Sequence, residues 1–208
     1  MLPPTRHARD TRGLELLLAA AGLACLAWWA AAFMSSAAYQ AAAARTFDRW
    51  RFQVGGALTG HGPLRAGGLL PRGTLVSLTG IVGRIEIPSV GIRAMVAEGD
   101  DDHTLARAVG HVPGSSLPGG HGRTVLAAHR DTYFRGLGRL RPGDEIRLDT
   151  AEASYRYRVV ATRIVRPRVA EAVCDDRRAG LTLVTCYPFH FVGPAPLRFI
   201  VSASPIRT

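Results

Sequence analysis

The 208-residue chain contains no lysine and no asparagine, so all 26 of its basic residues are arginine. Those two absences remove whole classes of chemistry. Schiff-base and P-loop lysines, Ser-Lys dyads and Cys-His-Asn triads each lack a required residue. N-linked glycosylation has no acceptor. Cysteine is scarce as well. The three, at 25, 174 and 186, form no C-x-x-C pair, which argues against a structural zinc ribbon or a thioredoxin-like site. His111, His121 and His190 show no close ligand spacing with His129, so they read as solvated or loop residues, and no metal or other cofactor is expected.

Acidic residues are also few, 16 against the 26 arginines, and the net charge is +10. The excess is spread out: +1 over residues 1–34, +4 over 35–80 and +5 over 81–208, with no block of like charge in the last region. That distribution describes a solvated mixed surface, not a nucleic-acid footprint. A hydrophobic content of 47% with 20% charged residues describes a folded chain. The length suits one domain with accessories.

Residues 16–34, LLLAAAGLACLAWWAAAFM, carry no charge. At ~1.5 Å per residue they nearly cross a hydrocarbon core of ~30 Å. Trp28, Trp29 and Tyr39 stand where amphipathic rings favour an interface, and Arg6, Arg9 and Arg12 precede the span. The positive-inside rule then keeps the N-terminus cytoplasmic and exports the rest. A cleaved signal peptide, with small residues at Ser36, Ala37 and Ala38, is the alternative and exports the same domain. Residues 1–13 thus read as a cytoplasmic N-terminus and 14–39 as a transmembrane helix in the cell membrane. Residues 40–81 read as a juxtamembrane helix, with Arg45, Arg49 and Arg51 at headgroup level, followed by a Gly-rich spacer at 55–80. Residues 82–208 read as the exported domain.

From Val82 onward short apolar runs are broken by Gly, Pro and Asp. Seven strands are expected: 84–87, 92–97, 124–129, 145–148, 154–165, 181–186 and 197–203. In the longest, Tyr155, Tyr157 and Val159 share one face while Arg156 and Arg158 take the other. One helix is expected after the Asp100–Asp102 run, with Leu105, Ala106 and Val109 at helical spacing and Gly110 ending it. Seven strands and one short helix in this length argue for an all-β fold, a closed or nearly closed barrel.

The chemistry concentrates on few residues. In an exported domain Cys174 and Cys186 would ordinarily form a disulfide. Cys186, however, closes the apolar run LTLVT where a strand gives way to the loop YPFHFVGPAP, the kind of place where scaffolds present reactive groups. Cys174 precedes two acids, a poor setting for a thiolate. A thiol nucleophile needs a proton-transfer partner, and His129 occupies the matching place after LAA on another strand. Asp131, two residues on, either orients the imidazole or caps the next turn. Thr185, before the cysteine, either offers a hydroxyl or backbone N–H to a substrate or simply packs.

TLVTC at 182–186 resembles the T-L-x-T-C signature of sortases, and VLAAHRDT is similar to that family's histidine segment. Pro196, Leu197, Arg198 and Phe199 resemble its arginine strand. The segments VGRIEIPSVGIRAMVAEGDD and GHVPGSSLPG extend the likeness, toward class D, over roughly 82–204. The resemblance implies a sortase-like closed barrel of seven to eight strands with one or two short helices. It also implies a cysteine transpeptidase with Cys186 as nucleophile, His129 as acid and base, and Arg198 as a clamp on the substrate backbone or oxyanion. Its partners would be proteins with a C-terminal L-P-x-T-G-like sorting signal and an amine acceptor in the cell wall or on another protein. Two rivals stay open: an exported cysteine peptidase passing the same thioester to water, and a non-catalytic membrane-anchored β domain that binds.

Overall fold

The computed structural model describes residues 7–58, 73–174 and 178–206. Its contacts divide the chain into two units, one ending at Ala38 and one beginning at Tyr39. Helix α1 runs His7–Leu58. Within it Gly13–Gln53 is, among the described residues, the one stretch long and apolar enough to cross a membrane. In the first unit its leucines, Trp28 and Trp29 are exposed, as an unpartnered apolar helix leaves them.

The second unit is an eight-stranded closed barrel. Its strands are β1 (Ile81–Ile87), β2 (Ile92–Glu98), β3 (Val109–His111), β4 (Arg123–Ala127), β5 (Glu145–Asp149), β6 (Ser154–Val165), β7 (Gly180–Tyr187) and β8 (Leu197–Pro205). They close in the order β1-β2-β3-β4-β7-β8-β6-β5, and β5 pairs back onto β1. Two neighbour pairs, β2 with β3 and β4 with β7, are parallel, and the others are antiparallel. Inward side chains fill the barrel: Ile85, Val96, Leu126, Leu148, Leu183 and Val201 are all fully buried. Each such side chain contributes about 1.5–3 kcal/mol of transfer free energy. On β6, Tyr157 and Val159 are buried while Arg156 and Arg158 are exposed, the alternation expected of a half-buried strand.

All seven anticipated strands are present, and the eighth, β3, replaces part of the anticipated helix. Helix α3 is a single turn, Asp102–Leu105, capped by the Asp101 carboxylate, which accepts from the His103 and Thr104 amides at 3.0 and 3.1 Å. Val109, expected on that helix, lies in β3. Gly110 permits this, since a Cβ there would stand 2.3 Å from the Gly99 carbonyl oxygen. A three-residue strand buried throughout shows no period-2 alternation, so sequence pattern cannot reveal it. His111 also departs from the reading as a solvated residue: it is only 2% exposed. Its Nδ1 meets Glu98 at 2.8 Å, and its Nε2 meets Ser115 Oγ at 3.0 Å and the Ser116 carbonyl at 3.2 Å. Strand pairing carries it inside, and these partners satisfy it there.

Two more helices flank the barrel, α2 (Thr74–Thr79) and α4 (Pro167–Cys174). Residues 55–58 and 74–79 of the anticipated spacer are thus helical, and 59–72, with His61, lie outside the described residues. The anticipated boundary at 82 also differs from the compact unit, which starts at Tyr39. Positions 40, 43, 47 and 51 form one helical stripe. Along it Ala43 and Phe47 are buried with Leu75, Ile81, Met95 and Ala151. The Gln40 amide donates to the Arg107 carbonyl and accepts from the Met95 amide, each at 2.8 Å. Arg51 pairs with Asp149 at 3.3 Å, and Asp48 pairs with Arg84 at 3.0 Å. Phe47→Ala should therefore cost about 3–5 kcal/mol of barrel stability. Denaturant unfolding measures it, and a loss below about 1 kcal/mol would mean that this helical stretch is not docked.

Candidate active site

Cys186 lies one residue before the end of β7, between β4 on one side and β8 on the other. Leu181 and Leu183 of β7 belong to the barrel core. Alternation therefore turns Val184 and Cys186 to the outer face. The Cys186 thiol is free and half-buried.

Strand register brings the other two residues alongside. On the β8 side Cys186 and Arg198 are direct Cα partners. On the β4 side the parallel ladder pairs Leu126 with Leu183 and Ala127 with Val184. The pairing continues past the end of β4: the Ala128 amide donates to the Val184 carbonyl at 3.3 Å, and the Thr185 hydroxyl donates to the Ala128 carbonyl at 2.7 Å. Carried one more step, that register would bring His129 level with Cys186, at about the 4.8 Å spacing of neighbouring strands. Cys186 and Arg198 thus stand on paired strands and His129 follows two residues after the strand on the other side, and all three are half-buried.

The Arg198 guanidinium is held by its own strand entry. Its Nη1 donates to the carbonyls of Ala195 and Leu197 at 3.2 and 3.0 Å, which orients the guanidinium from its own strand entry. Thr185 points the other way, 2% exposed, with its hydroxyl committed to Ala128. It ties the segment just before His129 to β7 and, by alternation, faces away from Cys186. Asp131 is exposed on the turn after His129, and among the described residues no hydrogen bond joins it to the imidazole. His121 and His190 are exposed, and no group of three metal-binding side chains occurs among the described residues.

The connection from β7 to β8, residues 188–196, leaves next to Cys186 and returns next to Arg198. Its root is aromatic: Phe189 lies edge-on to Tyr187 at 5.9 Å and to Phe199 at 5.4 Å. Gly138, in the loop following His129, lets that loop lie against Phe189, since a Cβ there would stand 2.7 Å from the ring. The sequence reading passed over Arg130, whose Nη2 donates to the carbonyls of Phe191 and Gly193 at 2.7 and 3.0 Å. An arginine next to a candidate histidine was the only sequence signal, and nothing in a linear reading names loop carbonyls as its partners.

A thiol, an imidazole and a guanidinium carried on neighbouring segments could supply a nucleophile, a proton carrier and an array of donors. Comparison with known proteins points the same way. The sortase domain profile matches residues 85–206. Sortase D of Bacillus subtilis strain 168 is 38% identical over 120 residues, 57% of this chain and 61% of that protein. Sortase A of Bacillus anthracis is 31% identical over 110 residues, 51% of this chain and 52% of that protein. The chain thus spans roughly half to three fifths of these relatives. Among solved structures, a Clostridium perfringens Sortase D5 transpeptidase aligns with a TM-score of 0.55 and 28% identity, covering 62% of this chain and 79% of its own. Listeria monocytogenes sortase A aligns with a TM-score of 0.56 and 25% identity, covering 62% and 88%. With the matched domain spanning nearly the whole barrel, the chain belongs to the sortase family.

Proposed function

We propose that this chain is a membrane-anchored cysteine transpeptidase acting on proteins that carry a C-terminal L-P-x-T-G-like sorting signal. The observation that supports the proposal is strand register: Cys186 and Arg198 are direct partners, and β4, which ends two residues before His129, pairs with β7 on its other side. In this reading Cys186 passes its thiol proton to His129 as its sulfur attacks the threonine carbonyl of the signal, and Arg198 donates to the substrate backbone or to the developing oxyanion. His129 gives its proton to the departing glycine amine as the Thr-Gly bond breaks, leaving a thioester on Cys186. An acceptor amine then attacks that thioester, His129 takes the amine's proton, and the new amide leaves as the Cys186 sulfur is released. No metal or cofactor enters either step.

Residues 14–39 serve as the anchor, with 1–13 on the cytoplasmic side and the barrel outside, and the arginines ahead of the span set that direction. Incubation with a sorting-signal peptide and either a glycine peptide or hydroxylamine tests the proposal. Release of the glycine fragment together with capture of the acyl fragment by the amine is expected. Release into free acid alone, unaffected by added amine, would make the protein a hydrolase.

A further inference from the structure

Building on the proposed reaction, we infer that Arg130 is a positioning residue that sets Arg198 through the β7–β8 connection. Arg130 follows His129 directly. Its Nη2 donates to the carbonyls of Phe191 and Gly193, and its guanidinium lies 5.9 Å from the Phe191 ring centroid. Two residues beyond Gly193, the Ala195 carbonyl accepts from Nη1 of Arg198. The connection is therefore gripped at two places by two guanidinium groups. Arg130 holds its middle from the histidine side, and Arg198 leans on its final stretch.

The strap has few other supports. Phe191 is 43% exposed and Val192 99% exposed, so the tip buries little apolar surface of its own. An exposed segment with so little packing opens at small free-energy cost, and two hydrogen bonds from a cation are the main restraint on it. Releasing them would let residues 191–195 wander and would move the carbonyl that seats Arg198. Displacement by about 1 Å of a group acting on the reacting carbonyl is enough to lose about 100-fold in rate. Arg130 itself need not touch the substrate. The side chain thereby links the segment bearing His129 to the connection joining Cys186 and Arg198.

Hydrogen exchange and a double-mutant cycle on the full chain in detergent test this. Arg130→Ala should speed exchange in residues 188–196 without changing exchange in β4 or β7. It should lower kcat for peptide cleavage about 10- to 100-fold, with Cys186 labelled by a small thiol reagent at the wild-type rate. Because its effect runs through Arg198, the Arg130→Ala/Arg198→Ala double variant should be no slower than Arg198→Ala alone. Losses that multiply, or unchanged exchange in 188–196, would overturn the inference. The exchange arm needs no turnover. If the wild-type protein acts on no sorting peptide, the proposed function fails, while faster exchange in Arg130→Ala still establishes the strap and unchanged exchange removes it.

Discussion

His129→Ala should lower sorting-peptide cleavage by at least about 100-fold while leaving the barrel folded. The size follows from the role. Without the imidazole the glycine amine departs unprotonated, and a general acid in this position contributes about 10²–10⁴-fold. The small effect on folding follows from the position. His129 sits two residues past the end of β4 and half-exposed, and the interactions that fasten this segment to β7 come from Ala128 and Thr185. Steady-state cleavage of a fluorogenic sorting peptide, paired with thermal unfolding, separates the two effects. Turnover within a few-fold of wild type would move the proton-transfer role elsewhere, and His190, exposed on the β7–β8 connection, would be the next residue to replace.

Arg198→Lys should be nearly as inactive as Arg198→Ala, with both losing about 10²–10³-fold in rate. Charge alone predicts otherwise, since an ammonium carries the same charge. The geometry favours the fork. Nη1 donates to the carbonyls of Ala195 and Leu197, which orients the guanidinium plane, and a substrate oxygen would take its remaining N–H groups. A lysine ammonium on a flexible stem cannot hold both the loop carbonyls and a substrate oxygen in that geometry. In both variants Cys186 should still react with a small thiol reagent, because the lost contact acts on the substrate. Near-normal cleavage by the lysine variant would reduce Arg198 to a simple field charge or a strand residue.

Much of the barrel was legible because its strands are long enough to show their period. β6 alternates Tyr155, Tyr157 and Val159 against Arg156 and Arg158 over its first half, and the runs around Ile85, Leu126, Leu183 and Val201 are bounded by turn residues. β3 was not legible: three buried residues carry no alternation, and Val109 fits a helical face as well as a strand. Helix α4 had a usable signal in Pro167 at its first position, overlooked between two strands. The docked part of α1 was hidden by composition, since its alanines continue the apolar run and only Gln40, Phe47 and Arg51 mark a second kind of face. Cys186, His129 and Arg198 each stood at a strand end or in a strand and could be named from sequence. That the strands leading to them are neighbours could not, because it depends on β4 and β7 pairing in parallel across a connection of more than fifty residues. Arg130 and the hydroxyl of Thr185 belong to the same class: their partners are backbone carbonyls far away in the chain.

The most direct test of the central claim, that Cys186 is the nucleophile of an acyl transfer, is mass spectrometry of the protein quenched in acid during turnover of a sorting peptide. The protein should gain the mass of the peptide up to its threonine, and fragmentation should place that mass on Cys186. Cys174→Ala should accumulate the same adduct at a similar rate, Cys186→Ala should accumulate none, and addition of a glycine peptide should discharge it into the ligated product. An adduct on Cys174, or a Cys174–Cys186 disulfide in the active protein, would contradict the account.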